Sequence, residues 1–424
     1  MLFFNFYLGS VKLVLKGSKA YWGWLVFLVA LIGIGVAGYI VQLSNGLVYT
    51  NMRDPVSWGF YIGNFTFLVG VAAAAVVLVI PAYIYQWGPI KEIVIIGELL
   101  AVSAIAMCLL FVMVDIGSPQ NFWHMLPIVG HWNVPSSLLA WDALVLNVYL
   151  VLNFTIVTHL LYRGFTNRPY SKKFAMPLIL FSIPAAVSIH TVTAFLYNGL
   201  AARPFWNTAI LAPRFLASAF CSGPAIFIVL LQVLRRYTKL EIKQEAIWKI
   251  AELMAYAMFI NLFLFGAEVF REVYSDTEHL LFTRYLFVGV HGHNTLVPYA
   301  WASLVLSAGS FLLFLVPRTR KNPVTLTLGA FMIYGGVYIE KGIALVIPGY
   351  TPSTLGEIYE YSPSIIEYMV TVGIYGVGFL LFTLMLKVAI PIMRGEFHMD
   401  SHVATPSSDA ASADELAPQL TASP

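Results

Sequence analysis

Ten stretches of about 20 mostly apolar residues recur along this chain, and no other feature restricts its fold as much. A helix rising 1.5 Å per residue needs about 20 residues to cross a hydrocarbon core about 30 Å thick. Inside lipid only helices and closed barrels satisfy their own backbone polar groups. The runs lie near 21–43, 58–85, 93–116, 136–162, 174–196, 208–234, 247–270, 296–316, 323–347 and 365–390. They predict an all-α polytopic membrane protein of about ten transmembrane helices. The composition agrees: 59% of the residues are hydrophobic and 11% are charged, against about 25% charged in soluble domains. The first run is long enough to span and has no small-residue cleavage site behind it, so it reads as a retained helix rather than a signal peptide.

Charge gives the expected direction. Of the 24 Lys and Arg residues, most fall in alternate connections: Lys12, Lys16, Lys19, Lys91, the 163–173 and 235–249 segments, 318–321, Lys387 and Arg394. By the positive-inside rule that side is cytoplasmic, and with an even number of spans both termini belong there. The expected location is the cytoplasmic (inner) membrane, with lipid and not nucleic acid around the chain. The organisation expected is a cytoplasmic N-terminal segment at 1–20, a ten-helix membrane domain at 21–394 and a disordered cytoplasmic tail at 395–424. The Ala, Ser, Asp and Pro of the tail bury too little apolar surface to fold alone. The basic loop 235–246 is a weak candidate for a division between two helical halves.

Ionisable groups inside a span are costly and mark function by default. Asp115 closes the third run at its outer end, Asp142 lies about two turns into the fourth and His190 sits near the outer end of the fifth. Glu268, Arg271 and Glu272 end the seventh, and Glu340 and Lys341 lie in the outer part of the ninth. Asn261, Glu268 and Glu272 share one helical face and form a route for protons part of the way across. Nearer the inner ends are Glu98 and Glu252, with no evident local basic partner. The competing reading is that these groups pair with one another for packing, as Glu268 would with Arg271.

Prosthetic groups are not expected on this chain. Two cysteines, Cys108 and Cys221, are too few for an iron–sulfur cluster, and no C-x-x-C-H marks a c-type haem. His159 and His190 lie near opposite ends of their helices, about 20 Å apart at helical rise, so they cannot share a haem iron. A metal site from the outer histidines is equally unexpected.

The segment RDPVSWGFYIGNFTFLVG, residues 53–70, has two faces. Gly59, Gly63, Thr66 and Gly70 form a close-packing side with G-x-x-x-G spacing. Ser57, Tyr61 and Asn64 form a polar stripe, open to either a ligand or interhelical hydrogen bonds. Trp58 suits a pocket wall or an interfacial anchor. Asp54 before Pro55 reads as a helix-start signal.

That segment, DIGSP at 115–119 and RPFWNTAILAPRFLASAFCSGPA at 203–225 resemble the NrfD/PsrC family of membrane quinone-reacting subunits. The ten-helix length, with KEIVIIGELLAVSAIAMCLLFVMVDIG and IEKGIALVIPGYTPSTLGEIYEYSPS, is most similar to its DsrP-type branch, linked to the DsrMKJOP complex of sulfur metabolism. The resemblance implies two helical bundles and an exchangeable menaquinone or ubiquinone near the outer face, with no haem or iron–sulfur cluster in this chain. It also implies a ferredoxin-like iron–sulfur subunit on the extracytoplasmic side and cytochrome subunits nearby. The family pocket uses the helix start matching 57–64 and the aromatic position before Thr191, which here is His190. The family's D-x-G-R-P motif has Ser118 in place of its arginine.

The expected site therefore has His190 exchanging protons with a quinone. Tyr61 and Asn64 would bond its head group beside Ser57 and Thr191, with Trp58 and Trp206 as walls. Asp115, Asp142 and Glu268 would relay protons outward, and Glu98, Glu252, Asn261 and Glu272 would continue the path inward. A secondary transporter is the rival class, and a b-type cytochrome the third.

Overall fold

The computed structural model describes residues 2–72, 74–125, 128–276, 278–353 and 355–399. Among the described residues ten helices are long and apolar enough to cross a membrane: α2 Lys19–Asn45, α3 Phe60–Ile84, α4 Val94–Asp115, α5 Leu138–Phe165, α6 Lys172–Asn198, α7 Leu211–Tyr237, α8 Gln244–Ser275, α10 Val297–Leu315, α11 Pro323–Gly349 and α12 Ile365–Met393. Shorter helices include α1 Leu2–Val14 before the first span and α9 His279–Phe287 between α8 and α10. The ten runs read from the sequence match these spans to within a few residues, because each is bounded by polar or turn-forming residues. The short helices α1 and α9 lie below the length that a spanning pattern reveals.

Two four-helix bundles stand side by side. Helices α3, α4, α5 and α6 pack in sequence around the first, and α7, α8, α10 and α11 around the second. The seam runs from α3 and α6 to α7 and from α3 to α11. The division therefore falls at the connection 199–210, and the basic loop 235–246 lies inside the second bundle. Helices α2 and α12 form a tight pair set against α4. They touch where Gly35 meets Gly373: a Cβ on Gly35 would collide with the Gly373 Cα, closer than any side chain permits. Small residues at such crossings let backbones approach in the absence of a hydrophobic driving force.

Helix α3 is the centre of the molecule. Nearly every residue of Tyr61–Ala72 is buried, which explains why its hydrophobicity shows no single apolar stripe. Its glycine face packs as expected. Gly63 lies against the backbone carbonyl of Gly342 and Gly70 against the Ser222 hydroxyl of α7. At the other end of the chain, Phe397 is buried against Phe165 with ring centroids 4.9 Å apart. The expected tail beginning at 395 thus starts as packed chain, and its residues 400–424 lie outside the described ones.

An even number of spans puts α1 and the end of α12 at one end of the bundles, here the terminal end; the opposite end is the distal end.

Candidate functional site at the distal end

The approach to α3 is a tight turn, not a helix cap. Arg53 and Val56 exchange backbone hydrogen bonds of 3.2 and 2.9 Å around Asp54 and Pro55. Ser57 is exposed, its hydroxyl donating to the Asp54 carbonyl at 3.2 Å. The helix starts three residues later, and the phenol oxygen of Tyr361 accepts the Phe60 backbone N–H at 2.8 Å. Tyr361 in turn donates to Glu367, which also accepts backbone N–H groups from Asn51 (3.0 Å) and Ser364 (2.8 Å) in the capping box of α12. One buried carboxylate thereby ties the start of α12 to the loop that carries Trp58.

Past that loop lies an aromatic cluster. Trp58 stacks on Trp206 with centroids 5.8 Å apart, and Tyr197 and Tyr350 meet both rings edge-on. The Trp206 indole donates to the Leu345 carbonyl at 2.8 Å, and the Tyr197 hydroxyl bonds Thr66. The two tryptophans touch each other rather than facing across a gap.

Acid–base groups surround this cluster in the first bundle. Tyr61 donates to Gln42 Oε1 at 2.7 Å, and the Gln42 amide donates to the Val114 carbonyl at 2.7 Å. Asn64 is engaged through both its oxygen and its nitrogen, accepting from Tyr338 (3.1 Å) and Tyr375 (3.0 Å) and donating to the Phe60 carbonyl (2.7 Å). Asp142 accepts from the Thr193 hydroxyl at 2.6 Å. Of the acid–base groups at this end, Asp115 Oδ1 and His190 Nε2 are buried with no partner among the described residues. His190 Nδ1 lies 2.7 Å from the Ala186 carbonyl. A carbonyl can only accept, so Nδ1 carries the proton and Nε2 presents a free lone pair. Asp115 lies within electrostatic range of Tyr61, Tyr197 and Tyr350, and Asp142 of Tyr197.

A second polar cluster occupies the other bundle. Arg214 of α7 binds two carboxylates, Glu268 of α8 and Glu340 of α11, the latter at 2.9 Å. Asn261 donates to Glu340 at 3.0 Å, and the Thr283 hydroxyl of α9 donates to Glu272. These residues line one cavity. Between the two clusters, Lys341 is buried in a π-turn of α11 with its Nζ 3.6 Å from the Phe215 ring centre. It lies within electrostatic range of His190 on one side and of Glu340, Arg214 and Glu268 on the other.

Comparison with known proteins bears on this arrangement. The model of the family described as "Polysulphide reductase, NrfD" matches residues 48–353. The chain belongs to this NrfD family. Its relatives include a selenate reductase subunit of Mesobacillus selenatarsenatis, 23% identical over 88% of this chain and 95% of that protein. A putative dimethyl sulfoxide reductase membrane subunit of Halobacterium salinarum is 24% identical over 85% and 89%. The Hdr-like menaquinol oxidoreductase integral membrane subunit of Archaeoglobus fulgidus is 22% identical over 87% and 93%.

In this NrfD-family chain, His190, Asp115, Asp142, Tyr61, Trp58 and Trp206 are gathered at the distal end of the first bundle. Ser57 is not on the helical stripe assigned to it, because the turn at Asp54–Pro55 delays the helix. Thr191 is half-exposed and bonds the Val187 carbonyl at 2.9 Å; the buried threonine of that helix is Thr193. Glu268 pairs with Arg214, not with Arg271, which is exposed. Asn261, Glu268 and Glu272 do share one face, and it belongs to the second bundle. Glu252 has partners after all, Lys249 at 3.2 Å and Tyr256 at 3.0 Å, so it forms a half-exposed ion pair near the terminal end. Glu98 is buried with Oε2 unpartnered, and it lies within electrostatic range of Tyr83 and Tyr149.

Several site residues escape a reading of the sequence. Gln42, Tyr197, Tyr361 and Arg214 act through partners far away in sequence. Gln42 carries a signal, a lone amide inside an apolar run. Glu367 carries another, the S-x-x-E spacing of a capping box.

Proposed function

We propose that this chain is the quinone-interacting membrane subunit of a respiratory electron-transfer complex. It exchanges electrons between menaquinone or ubiquinone in the bilayer and an extracytoplasmic, ferredoxin-like iron–sulfur subunit, with cytochrome subunits in the same assembly. Its distal end faces the extracytoplasmic side and both termini the cytoplasm. We assign it to the DsrP-type, sulfur-linked branch, in keeping with its ten spans. Membership of the NrfD family supports the reading, as do relatives named for reductase complexes and for menaquinol oxidation.

The observation that carries it is the pair of unpartnered buried atoms at the distal end, His190 Nε2 and Asp115 Oδ1. A buried polar atom without a partner costs about 1–3 kcal/mol, so such atoms persist where a ligand completes them. A quinone supplies a carrier of two electrons and two protons. Its head group needs what these atoms offer: a lone pair on His190 that accepts a hydroxyl proton, and a carboxyl oxygen beside the Tyr61–Gln42 pair. Asp142, held by Thr193, lies within electrostatic range of Tyr197 and is a candidate for the next proton carrier. Glu98 and the Asn261–Glu268–Glu272 face are candidates for carrying protons further.

The test is His190→Phe in the assembled complex, with quinol-linked electron transfer as the readout. Loss of that transfer with the complex intact is expected; unchanged turnover sinks the assignment. Solute flux by the isolated chain, with no quinone bound, would support the transporter reading in its place.

A further inference from the structure

The second bundle contains a cleft that the first-bundle site does not use. Among the residues lining it, three buried polar atoms on three helices lack partners: Arg214 Nε on α7, Asn261 Oδ1 on α8 and Ser307 Oγ on α10. Asn261 and Ser307 are 1% and 2% exposed, so bulk water does not satisfy them. They offer two donors and one acceptor around the same space, beside the carboxylates of Glu268 and Glu340. Toward the distal end this cavity adjoins an apolar groove between α8, α9 and α10, the two sharing Phe265, Val269, Thr283, Phe287 and Leu304 as walls. The groove opens past Trp301, Val273 and Val288, which are 50%, 58% and 75% exposed. Charge returns only at the rim, at Asp276 and Arg284. From Asp276 to Asn261 the cleft follows α8 for about 20 Å at helical rise.

A lateral mouth lined by Phe, Val and Trp admits a lipid-soluble molecule and discourages a hydrated solute. A buried lining with an arginine N–H, a hydroxyl and an amide oxygen suits a ring bearing oxygen atoms. A phospholipid would present acyl chains to these three atoms and leave them unsatisfied. From this complementarity we infer a second quinone-binding site in the bundle of α7, α8, α10 and α11, entered sideways from the bilayer near the distal end. Arg214 and Ser307 donate to the ring oxygens and Asn261 accepts from them in the hydroxyl form. Phe265 and Phe287, in ring contact with centroids 5.8 Å apart, form one wall of the throat. The inference rests on the proposal that a membrane quinone is this chain's partner, and adds a place for it.

The experiment uses the assembled complex in lipid nanodiscs and a photoreactive azido derivative of a prenylated quinone, with labelled peptides mapped by mass spectrometry. Label is expected in peptides spanning 261–287 or 301–307 as well as near 57–64 or His190. Val269→Trp, which fills the throat, should lower the second-bundle label at least tenfold and leave the first-bundle label in place. Ser307→Ala is the milder variant, since its hydroxyl has no partner to lose, and it should weaken the same label. First-bundle label without second-bundle label overturns this inference alone. No label at either site overturns the proposed function beneath it. Second-bundle label displaced by excess phospholipid but not by unlabelled quinone identifies a lipid groove and overturns the inference.

Discussion

At the scale of single residues, Arg214 carries the most electrostatic responsibility. It is one cation between two carboxylates, Glu268 and Glu340, with its guanidinium 5.2 Å from the Phe265 ring centre. Taking charges out of water is expensive, and removing one partner of a buried pair costs about 3–5 kcal/mol because the other charge is stranded. Arg214→Gln strands two carboxylates at once. We expect a fall in thermal stability of that order, or failure to assemble, read from the melting of purified complex. Arg214→Lys keeps the charge but not the fork that spans both acids, and should lose less. This pairing shows where sequence reading ends. Asn261, Glu268 and Glu272 lie on one turn pattern, and their shared face follows from the 3.6-residue period. Arg214 stands 54 residues from Glu268. Nothing local favours it over Arg271 three residues away, and only the packing of α7 on α8 decides between them.

At the scale of elements, the two faces of α3 are a case in which sequence and structure meet. The glycines at 59, 63 and 70 announce a close approach, and at Gly63 the approach is to backbone. A Cβ at Gly63 would lie 2.5 Å from the Gly342 carbonyl oxygen in the π-turn of α11. A carbonyl held in a helix cannot rotate aside as a side-chain end can, so Gly63→Val must separate α3 from α11. Overpacking of a core typically costs about 1–3 kcal/mol. Here it would also shift Lys341, one residue before Gly342 in the same turn. We expect Gly63→Val to lower the melting temperature and to reduce quinol-linked turnover together, whereas Gly23→Ala in α2, with open space around it, should change neither. The start of α3 is less legible. Asp-Pro is a common helix-start pair, but Arg53 and Val56 close their own backbone bonds around it. The cap instead comes from Tyr361, about 300 residues away in the chain. Caps made by distant side chains leave no local pattern.

At the scale of the whole molecule, the direction of the bundles in the membrane decides which partners the site can meet. The trace of ten spans is readable because each run satisfies a length that the bilayer imposes. The division into bundles is not, because it depends on which faces of α3, α6, α7 and α11 meet. The distribution of charge supports the proposed direction: most of the basic residues sit at the terminal end, in loops such as 235–243 and 318–321, the kind of end that the positive-inside rule assigns to the cytoplasm. His190, Asp115, the aromatic cluster and the mouth of the second cleft are all nearer the other end. The arrangement tests cleanly because the native thiols, Cys108 and Cys221, are both free and buried. Single cysteines at Ser57 and Lys239, exposed residues on opposite ends, therefore report against a quiet background. In intact cells a membrane-impermeant maleimide should label Ser57→Cys, and Lys239→Cys only after the membrane is opened. The reverse pattern would put the acid–base cluster on the cytoplasmic side. An extracytoplasmic iron–sulfur partner would then be out of electron-transfer range, and the proposed direction of assembly would fall with it.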